Sequence, residues 1–359
     1  AIPGPFMQTC LNTGLAIIVV LGASRVNKGL TEPGVILAFL TYFNMIAMGV
    51  MGINRIFITM SKASASANRI SRVLESEEDQ PRLEESSVRA QQEEGFIAFE
   101  NVNFSYVSED AAGAAGTDAE GIQADFAGEQ REKALENITF HLKKGESLGI
   151  IGPTGCGKTT VINLLMRFYD CPEGGVFVDG KDVRTCEKDE LRARFGVCFQ
   201  NDMVFRDTLR ENVVFGREAD EEKLRASIED AMAAEYIDAL EEGLDYGAAI
   251  RGADLSGGQR QRLLIARALY GDPEILVLDD SSSALDYKTD AAVRKAIEAH
   301  HGGTTLIMIA QRVSSIMNLD RIMVMDNGRC IGLGTHEELL KTCPAYRETF
   351  EVQMGSLAS

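Results

Sequence analysis

The chain has 359 residues and a formal net charge of −18, and it is long enough for two or three domains with sizeable cores. The charge is uneven, because residues 1–74 carry six basic residues and one acid, a net +5, which leaves −23 for the remainder. Such an acidic body argues against a nucleic-acid partner, which would require a basic patch. Seven cysteines without a C-x-x-C pair give no indication of a zinc site or a disulfide framework.

Two uncharged apolar stretches open the chain. Residues 1–24 and 33–54 contain no charged side chain, and each reaches the roughly 20 residues that a helix needs to cross a bilayer. They predict two membrane-spanning helices joined by a short polar loop, with two buried helices of a soluble protein as the alternative. Thr31 and Pro33 favour a helix start at the second stretch.

The second helix is predicted to continue beyond the membrane as far as Leu74. Ile70, Val73 and Leu74 keep a helical spacing, and no helix breaker occurs before Pro81. Such a helix would be about 60 Å long. By the positive-inside rule, its end lies in the cytosol, because four basic residues follow the apolar stretch: Arg55, Lys62, Arg69 and Arg72.

Two acidic segments mark boundaries. Residues 75–94 hold eight acids and two bases, and we expect them to link the membrane helix to the next domain. Residues 107–134 are rich in alanine, glycine and acids, and they offer too few apolar side chains to offset the entropy of ordering. This segment is predicted to be a disordered insertion, with a docking loop as the alternative.

A glycine-rich loop carries the clearest chemistry. The pattern G-x-x-x-x-G-K-[ST] is matched by Gly152, Pro153, Thr154, Gly155, Cys156, Gly157, Lys158 and Thr159. Backbone N–H groups of such a loop cradle nucleotide phosphates, the lysine adds a positive charge, and the hydroxyl after it binds Mg²⁺. Residues 147–151 predict a buried strand before the loop, and residues 160–168 predict a helix whose N-terminus faces the phosphates.

A second motif consists of Leu255, Ser256, Gly257, Gly258 and Gln259. Together with the phosphate loop it resembles the ATP-binding cassette (ABC) family, whose signature is LSGGQ. Its glycines allow close backbone approach, and its serine can donate to a γ-phosphate at the start of a predicted helix that runs to Tyr270. In that family the signature completes the phosphate-loop site of the other subunit, which implies that Ser256, Gly257, Gly258 and Gln259 contact ATP across a dimer interface.

The resemblance covers about residues 96–350, and further motifs follow in the family's order. Tyr106 matches the aromatic residue that stacks on adenine, and Gln200 matches a glutamine that senses the γ-phosphate. Asp279 ends an apolar strand, as does the Walker B acid that holds Mg²⁺. The resemblance implies metal contacts from Thr159, Gln200 and Asp279, and nucleotide contacts from Tyr106, Gly152, Thr154, Gly155, Cys156, Gly157, Lys158, Thr159 and Thr160.

Two catalytic positions depart from the family. Asp280 stands where the family usually has a glutamate that polarises the attacking water, and a misplacement of about 1 Å can cost about a hundredfold in rate. Gln311 stands where the family has a switch histidine, and an amide carries no titratable proton. With Gln200, these are the candidate catalytic residues. We expect a site that binds ATP and hydrolyses it poorly, with neutral drift in a working enzyme as the alternative.

Cys156 lies inside the phosphate loop and has two interpretations. The loop's N–H groups and Lys158 would favour a reactive thiolate if the sulfur is exposed. The alternative is a small apolar filler under the loop.

The expected fold is an α/β P-loop NTPase, with antiparallel β and helical parts beside a mostly parallel core, preceded by two transmembrane helices. The expected divisions are a truncated exporter membrane domain with its last two helices over 1–80, a linker over 81–95, an ABC nucleotide-binding domain over 96–350 and a tail over 351–359.

These features predict one half of an ABC exporter, multi-pass in a bacterial plasma membrane, with its ATPase domain in the cytoplasm. The resemblance implies ATP and Mg²⁺ as cofactors, and membrane lipid and a different half-transporter as partners. An intact signature would serve the partner's competent site. The alternatives are a homodimer, a non-transport ABC ATPase and a regulatory ATP-binding module.

Overall fold

The computed structural model describes residues 3–74, 80–92, 94–106, 133–281 and 283–355. It divides into two compact units, Ala1–Asp79 and Gln80–Ser359. The predicted insertion lies outside the described residues except at its end, because a strand begins at Lys133.

The first unit consists of the helices α1 (Pro3–Asn27) and α2 (Pro33–Leu74). They run antiparallel, since Gly14 of α1 lies against Phe43 and Gly22 lies against Ile36. A Cβ atom at Gly22 would lie 2.9 Å from the Ile36 side chain, so glycine permits the close approach of the two helices.

Other residues of this chain leave the apolar side chains of α2 largely uncovered, as at Leu37 (69% exposed) and Met48 (71% exposed). Among the described residues, Pro33–Ser71 is long and apolar enough to cross a membrane, whereas the apolar part of α1, Leu11–Asn27, is shorter. The predicted continuation of the second helix to Leu74 is confirmed. A second membrane span stays a prediction.

The second unit contains ten strands among the described residues. They are β1 (Ile97–Ser105), β2 (Lys133–Leu142), β3 (Ser147–Ile151), β4 (Glu173–Val178), β5 (Lys181–Asp182), β6 (Phe195–Cys198), β7 (Ile275–Asp279), β8 (Thr305–Ile309), β9 (Arg321–Asp326) and β10 (Arg329–Gly334).

The helices of this unit lie mostly after the third strand. They are α3 (Lys158–Leu165), α4 (Lys188–Ala193), α5 (Leu209–Val214), α6 (Glu221–Asp230), α7 (Ala234–Asp238), α8 (Gly257–Tyr270), α9 (Tyr287–His300), α10 (Val313–Ile316), α11 (His336–Thr342) and α12 (Pro344–Gly355). Short 3₁₀ turns occur at Glu85–Ser87, Val183–Thr185, Gly243–Asp245 and Ile250–Gly252.

Two sheets form the framework of this unit. The larger has the order β10-β9-β3-β8-β7-β6, with parallel pairing from β9 to β6 and an antiparallel edge at β10. The smaller is antiparallel, with the order β2-β1-β4-β5. The segment between β6 and β7 carries α5 to α8. The predicted P-loop fold, with its parallel core, antiparallel part and helical subdomain, is confirmed.

Buried apolar strands place the functional loops at one edge. β7 and β8 are buried along their whole length, as expected for parallel strands covered on both faces. Because β3, β8 and β7 are neighbours and parallel, the loops that follow their carboxyl ends meet at the same edge of the sheet.

One predicted boundary was wrong. The helix after the phosphate loop ends at Leu165 instead of 168, because Arg167 adopts a left-handed backbone with φ 53°. Its buried guanidinium bonds to Asp170 Oδ1 and to the carbonyl oxygens of Pro81 and Cys186. Helix α12 crosses the predicted start of the tail at 351 and ends at Gly355, and the tail itself stays a prediction.

Candidate nucleotide-binding site

The phosphate loop joins β3 to α3, as predicted. Gly157 occupies the N-cap position of α3 with φ 100°, and Gly155 has φ 83°. A Cβ atom at Gly152 would lie 2.2 Å from Met325 O, and one at Gly157 would lie 2.5 Å from Ala134 O. The loop therefore needs glycine at these two positions for its own packing. The loop runs directly into the first turn of α3, so that its backbone N–H groups lie at the helix N-terminus.

Lys158 and Thr159 occupy the first turn of α3. Lys158 Nζ donates to the carbonyl oxygens of Gly152 and Pro153, both at 2.8 Å, so the ammonium group lies close to the loop backbone. Thr159 Oγ1 donates to Asp279 Oδ2 at 3.0 Å. A hydroxyl and a carboxylate are the oxygen ligands that suit Mg²⁺. Two of the three predicted metal-contacting residues, Thr159 and Asp279, are therefore brought together from two different elements. The third, Gln200, instead bonds to Asp280.

Asp279 is buried at the end of β7. Burial raises the pKa of its carboxyl group, and the neighbouring charge of Asp280 raises it further. The bond from Thr159 acts in the opposite direction.

The three candidate catalytic residues meet at one oxygen atom. Asp280 Oδ2 accepts from Gln311 Nε2 at 2.7 Å and from Gln200 Nε2 at 3.2 Å. The Asp280 backbone is left-handed, with φ 52°, and its N–H donates to Ile309 O at 2.9 Å. Burial raises the pKa of Asp280, and the two amides oppose this effect. The carboxylate is thus oriented by two neutral donors.

Cys156 is buried under the loop. A reactive thiolate required an exposed sulfur, and the structure does not meet this condition. Its Sγ lies 3.9 Å from Lys158 Nζ. Burial nevertheless raises the pKa of the thiol, and the nearby lysine only partly offsets this. The structure favours the role of a small filler.

Tyr106 lies beside α3. Its hydroxyl is 3.1 Å from Thr160 Oγ1 and accepts from Asn163 Nδ2 at 3.3 Å. The rings of Phe104 and Tyr169 meet the Tyr106 ring edge-on, at 4.9 and 5.1 Å. Its ring is thereby held in place, and 40% of the residue is exposed.

The signature residues begin α8. Ser256 is the N-cap, and its Oγ accepts from Gln259 N at 3.2 Å while Gln259 Oε1 accepts from Ser256 N at 2.9 Å. This is a capping box, which the serine and glutamine three residues apart could have predicted. Gly257 and Gly258 occupy the first helical turn, next to Ala284.

One residue that sequence reasoning missed contacts the switch position. Gln353 of α12 donates from Nε2 to Gln311 O at 2.8 Å, and its Oε1 accepts from Val313 N at 2.8 Å. No signal in the sequence connects positions so far apart. The fold and the site define a P-loop nucleotide-binding protein.

Comparison with known proteins shows similarity to ABC transporters. Residues 135–283 match the family "ABC transporter". The chain is 36% identical to an ATP-dependent lipid A-core flippase of Desulfotalea psychrophila over 353 residues, which are 97% of this chain and 57% of the flippase. It is 32% identical to YheH, a probable multidrug resistance ABC transporter ATP-binding/permease protein of Bacillus subtilis, over 93% of this chain and 46% of that protein.

A solved structure of a bacterial Atm1-family ABC exporter with ATP bound is also similar. It has a TM-score of 0.68 and 28% identity, and the match covers 97% of this chain and 57% of that one. The chain spans about half the length of these relatives. The matched residues 135–283 lie in the second unit, and these similarities support the predicted resemblance to ABC transporters.

Proposed function

We propose that this chain is the ATP-binding part of an ABC exporter half-transporter, which couples ATP binding and hydrolysis to export across a membrane. The exporter relatives support this proposal, as does the long apolar helix α2 ahead of the ATPase domain. Residues 1–80 would supply the last two transmembrane helices, residues 81–95 a linker and residues 96–350 the nucleotide-binding domain. Membrane lipid would cover the exposed apolar side chains of α2.

We further propose a heterodimer in which this chain's own phosphate-loop site hydrolyses ATP weakly. One observation carries this: Asp280 Oδ2 is engaged by the amides of Gln311 and Gln200. A base must accept a proton from water, and a short carboxylate already bound by two fixed donors is poorly placed to do so. The signature is intact, so it would complete a competent site with a different half-transporter.

The residues present fit ATP and Mg²⁺. The N-terminus of α3, preceded by Gly157 as its N-cap, suits phosphate oxygens, and the Thr159 and Asp279 oxygens suit a hard divalent cation. Lys158 would exchange its two carbonyl partners for phosphate oxygens, and Mg²⁺ would neutralise phosphate charge. Tyr106 would contact adenine, and Ser256 would donate to phosphate in trans. The exporter would lie in a bacterial plasma membrane, with this domain in the cytoplasm.

The test compares turnover of the purified full chain without a partner. The wild type should bind MgATP and hydrolyse it slowly, whereas Asp280→Glu combined with Gln311→His should raise turnover about tenfold or more, since the pair restores a longer base and a titratable switch residue. Asp280→Asn combined with Gln311→His is the matched control, because it lacks the carboxylate. Wild-type hydrolysis as fast as that of the restored variant would contradict the weak-site proposal.

A further inference from the structure

The C-terminal helix α12 holds the backbone on both sides of Arg312. Gln353 donates to the carbonyl oxygen of Gln311 and accepts from the N–H of Val313, each at 2.8 Å. One side-chain amide thus makes two bonds across the loop that joins β8 to α10.

These bonds supply a cap for α10, which the loop itself does not provide. Arg312 is the N-cap residue of α10, and its side chain makes no capping bond. A helix of four residues has little stability of its own, and its first N–H groups need an external acceptor. Gln353 provides that acceptor at Val313, so a side chain of α12 caps the start of α10.

The same bonds orient the switch position. Ala310 N donates to Ile150 O at 3.1 Å, which fixes the loop from the sheet side, and Gln353 fixes it from the other side. Gln311 lies between these two anchors, and its side chain reaches Asp280 Oδ2 at 2.7 Å. The direction of the Gln311 side chain therefore depends on a residue of the last helix.

Helix α12 also borders the phosphate loop. A cavity of about 470 Å³ is lined by Gly152 and Thr154 of that loop, by Gln311, and by Tyr346 and Thr349 of α12. The phosphate loop, the switch position Gln311 and helix α12 thus line the same cavity.

We propose that Gln353 is a positioning residue of the ATPase site. It holds the loop so that Gln311 reaches Asp280, and it makes retention of ATP depend on the C-terminal helix. The inference rests on the proposed place of Gln311 in the nucleotide site, but it does not require that the site hydrolyse ATP weakly.

Hydrogen exchange of the Val313 amide tests the tether in the full chain in lipid nanodiscs. Gln353→Met keeps the side-chain length without either polar atom, and we expect exchange about tenfold faster, the size of one lost hydrogen bond. Gln353→Glu keeps an acceptor for Val313 and should show a smaller increase, which provides a second variant if the first folds poorly. Glu351→Gln, an exposed change on the same helix, is the control and should leave exchange unchanged.

A double-mutant cycle tests whether Gln353 acts through Gln311. Release of a non-hydrolysable ATP analogue is measured with Mg²⁺, so turnover does not enter. Gln353→Met should speed release about three- to tenfold beside wild-type Gln311 and have little effect beside Gln311→Ala, since coupled residues are not additive. An equal effect on both backgrounds would mean a merely structural role, and unchanged Val313 exchange in Gln353→Met would overturn the tether itself.

Discussion

The phosphate loop and the signature loop both contain glycines, but the glycines serve the chain's own fold in only one of them. In the phosphate loop, a Cβ atom at Gly152 would lie 2.2 Å from Met325 O, and one at Gly157 would lie 2.5 Å from Ala134 O. Both contacts are with backbone atoms that cannot move aside. The fold of this chain therefore requires glycine at both positions.

The signature glycines meet no such obstacle. A Cβ atom at Gly257 would lie 3.9 Å from Ala284 Cβ, and one at Gly258 would lie 3.4 Å from Ala284 O. Both residues are in the first turn of α8, where glycine is less stable than alanine by up to about 1 kcal/mol. Since this chain's own packing does not demand these glycines, the comparison supports the proposal that a nucleotide bound to another subunit does.

The largest expected effect separates the two loops directly. Gly152→Ala should destabilise the fold by about 3 kcal/mol or more, because the new methyl group collides with Met325 O, and ATP binding should be lost with it. Gly258→Ala should leave the thermal midpoint within about 2 °C of the wild type. Thermal unfolding and nucleotide binding of the full chain are measured for both variants. A Gly152→Ala protein as stable as the wild type would contradict the claim that the fold requires glycine in the phosphate loop.

The second prediction concerns the proposed heterodimeric exporter. Ser256→Arg should lower its ATPase activity more than tenfold, because the long side chain would block the competent site that we propose the signature forms with the partner. Asp280→Asn, which alters the site proposed to be weak, should do far less. Steady-state ATPase assays compare them, and equal losses would favour a symmetric homodimer.

The capping box calls for a control in that experiment. Ser256 also caps α8, so losing its hydroxyl alone should destabilise the helix start by about 1 kcal/mol. Ser256→Asp keeps a capping acceptor but places a negative charge toward phosphate, so it should preserve stability and still reduce ATPase activity.

The smallest expected effect concerns Cys156. Because burial raises the pKa of this thiol, it is less ionised at a given pH than an exposed cysteine, and its thiolate appears only in more alkaline solution. A maleimide should label Cys156 several-fold more slowly than the less buried Cys186, whose pKa burial also raises. Peptide mapping by mass spectrometry reports both. Faster labelling of Cys156 would mean that the phosphate loop opens in solution.

The elements that local pattern determines were predictable. The strand Ser147–Ile151 has the predicted bounds, and the strand Ile275–Asp279 ends at the predicted residue, because continuous apolar runs bounded by glycine or acid identify buried parallel strands. The meeting of Thr159 with Asp279 followed from motif order, since parallel strands bring their carboxyl ends to one edge.

Features that depend on distant contacts were not predictable. The early end of α3 follows from Arg167, whose left-handed backbone is held by bonds to Pro81 and Cys186. The role of Gln353 depends on α12 folding back onto the loop before α10, and no periodicity encodes that. The burial of Cys156 likewise depends on packing beneath the loop rather than on its neighbours in sequence.

The left-handed backbone at Asp280 limits which substitutions fit this position without strain. Aspartate, asparagine and glycine adopt this conformation most readily, whereas other residues are destabilised in it by about 1–2 kcal/mol. The variants that fit the backbone most comfortably, asparagine and glycine, lack a carboxylate. Glutamate would bring the longer base at the expense of local strain. The backbone conformation at this position therefore disfavours the single substitution Asp280→Glu, whatever that substitution does to the hydrolysis rate.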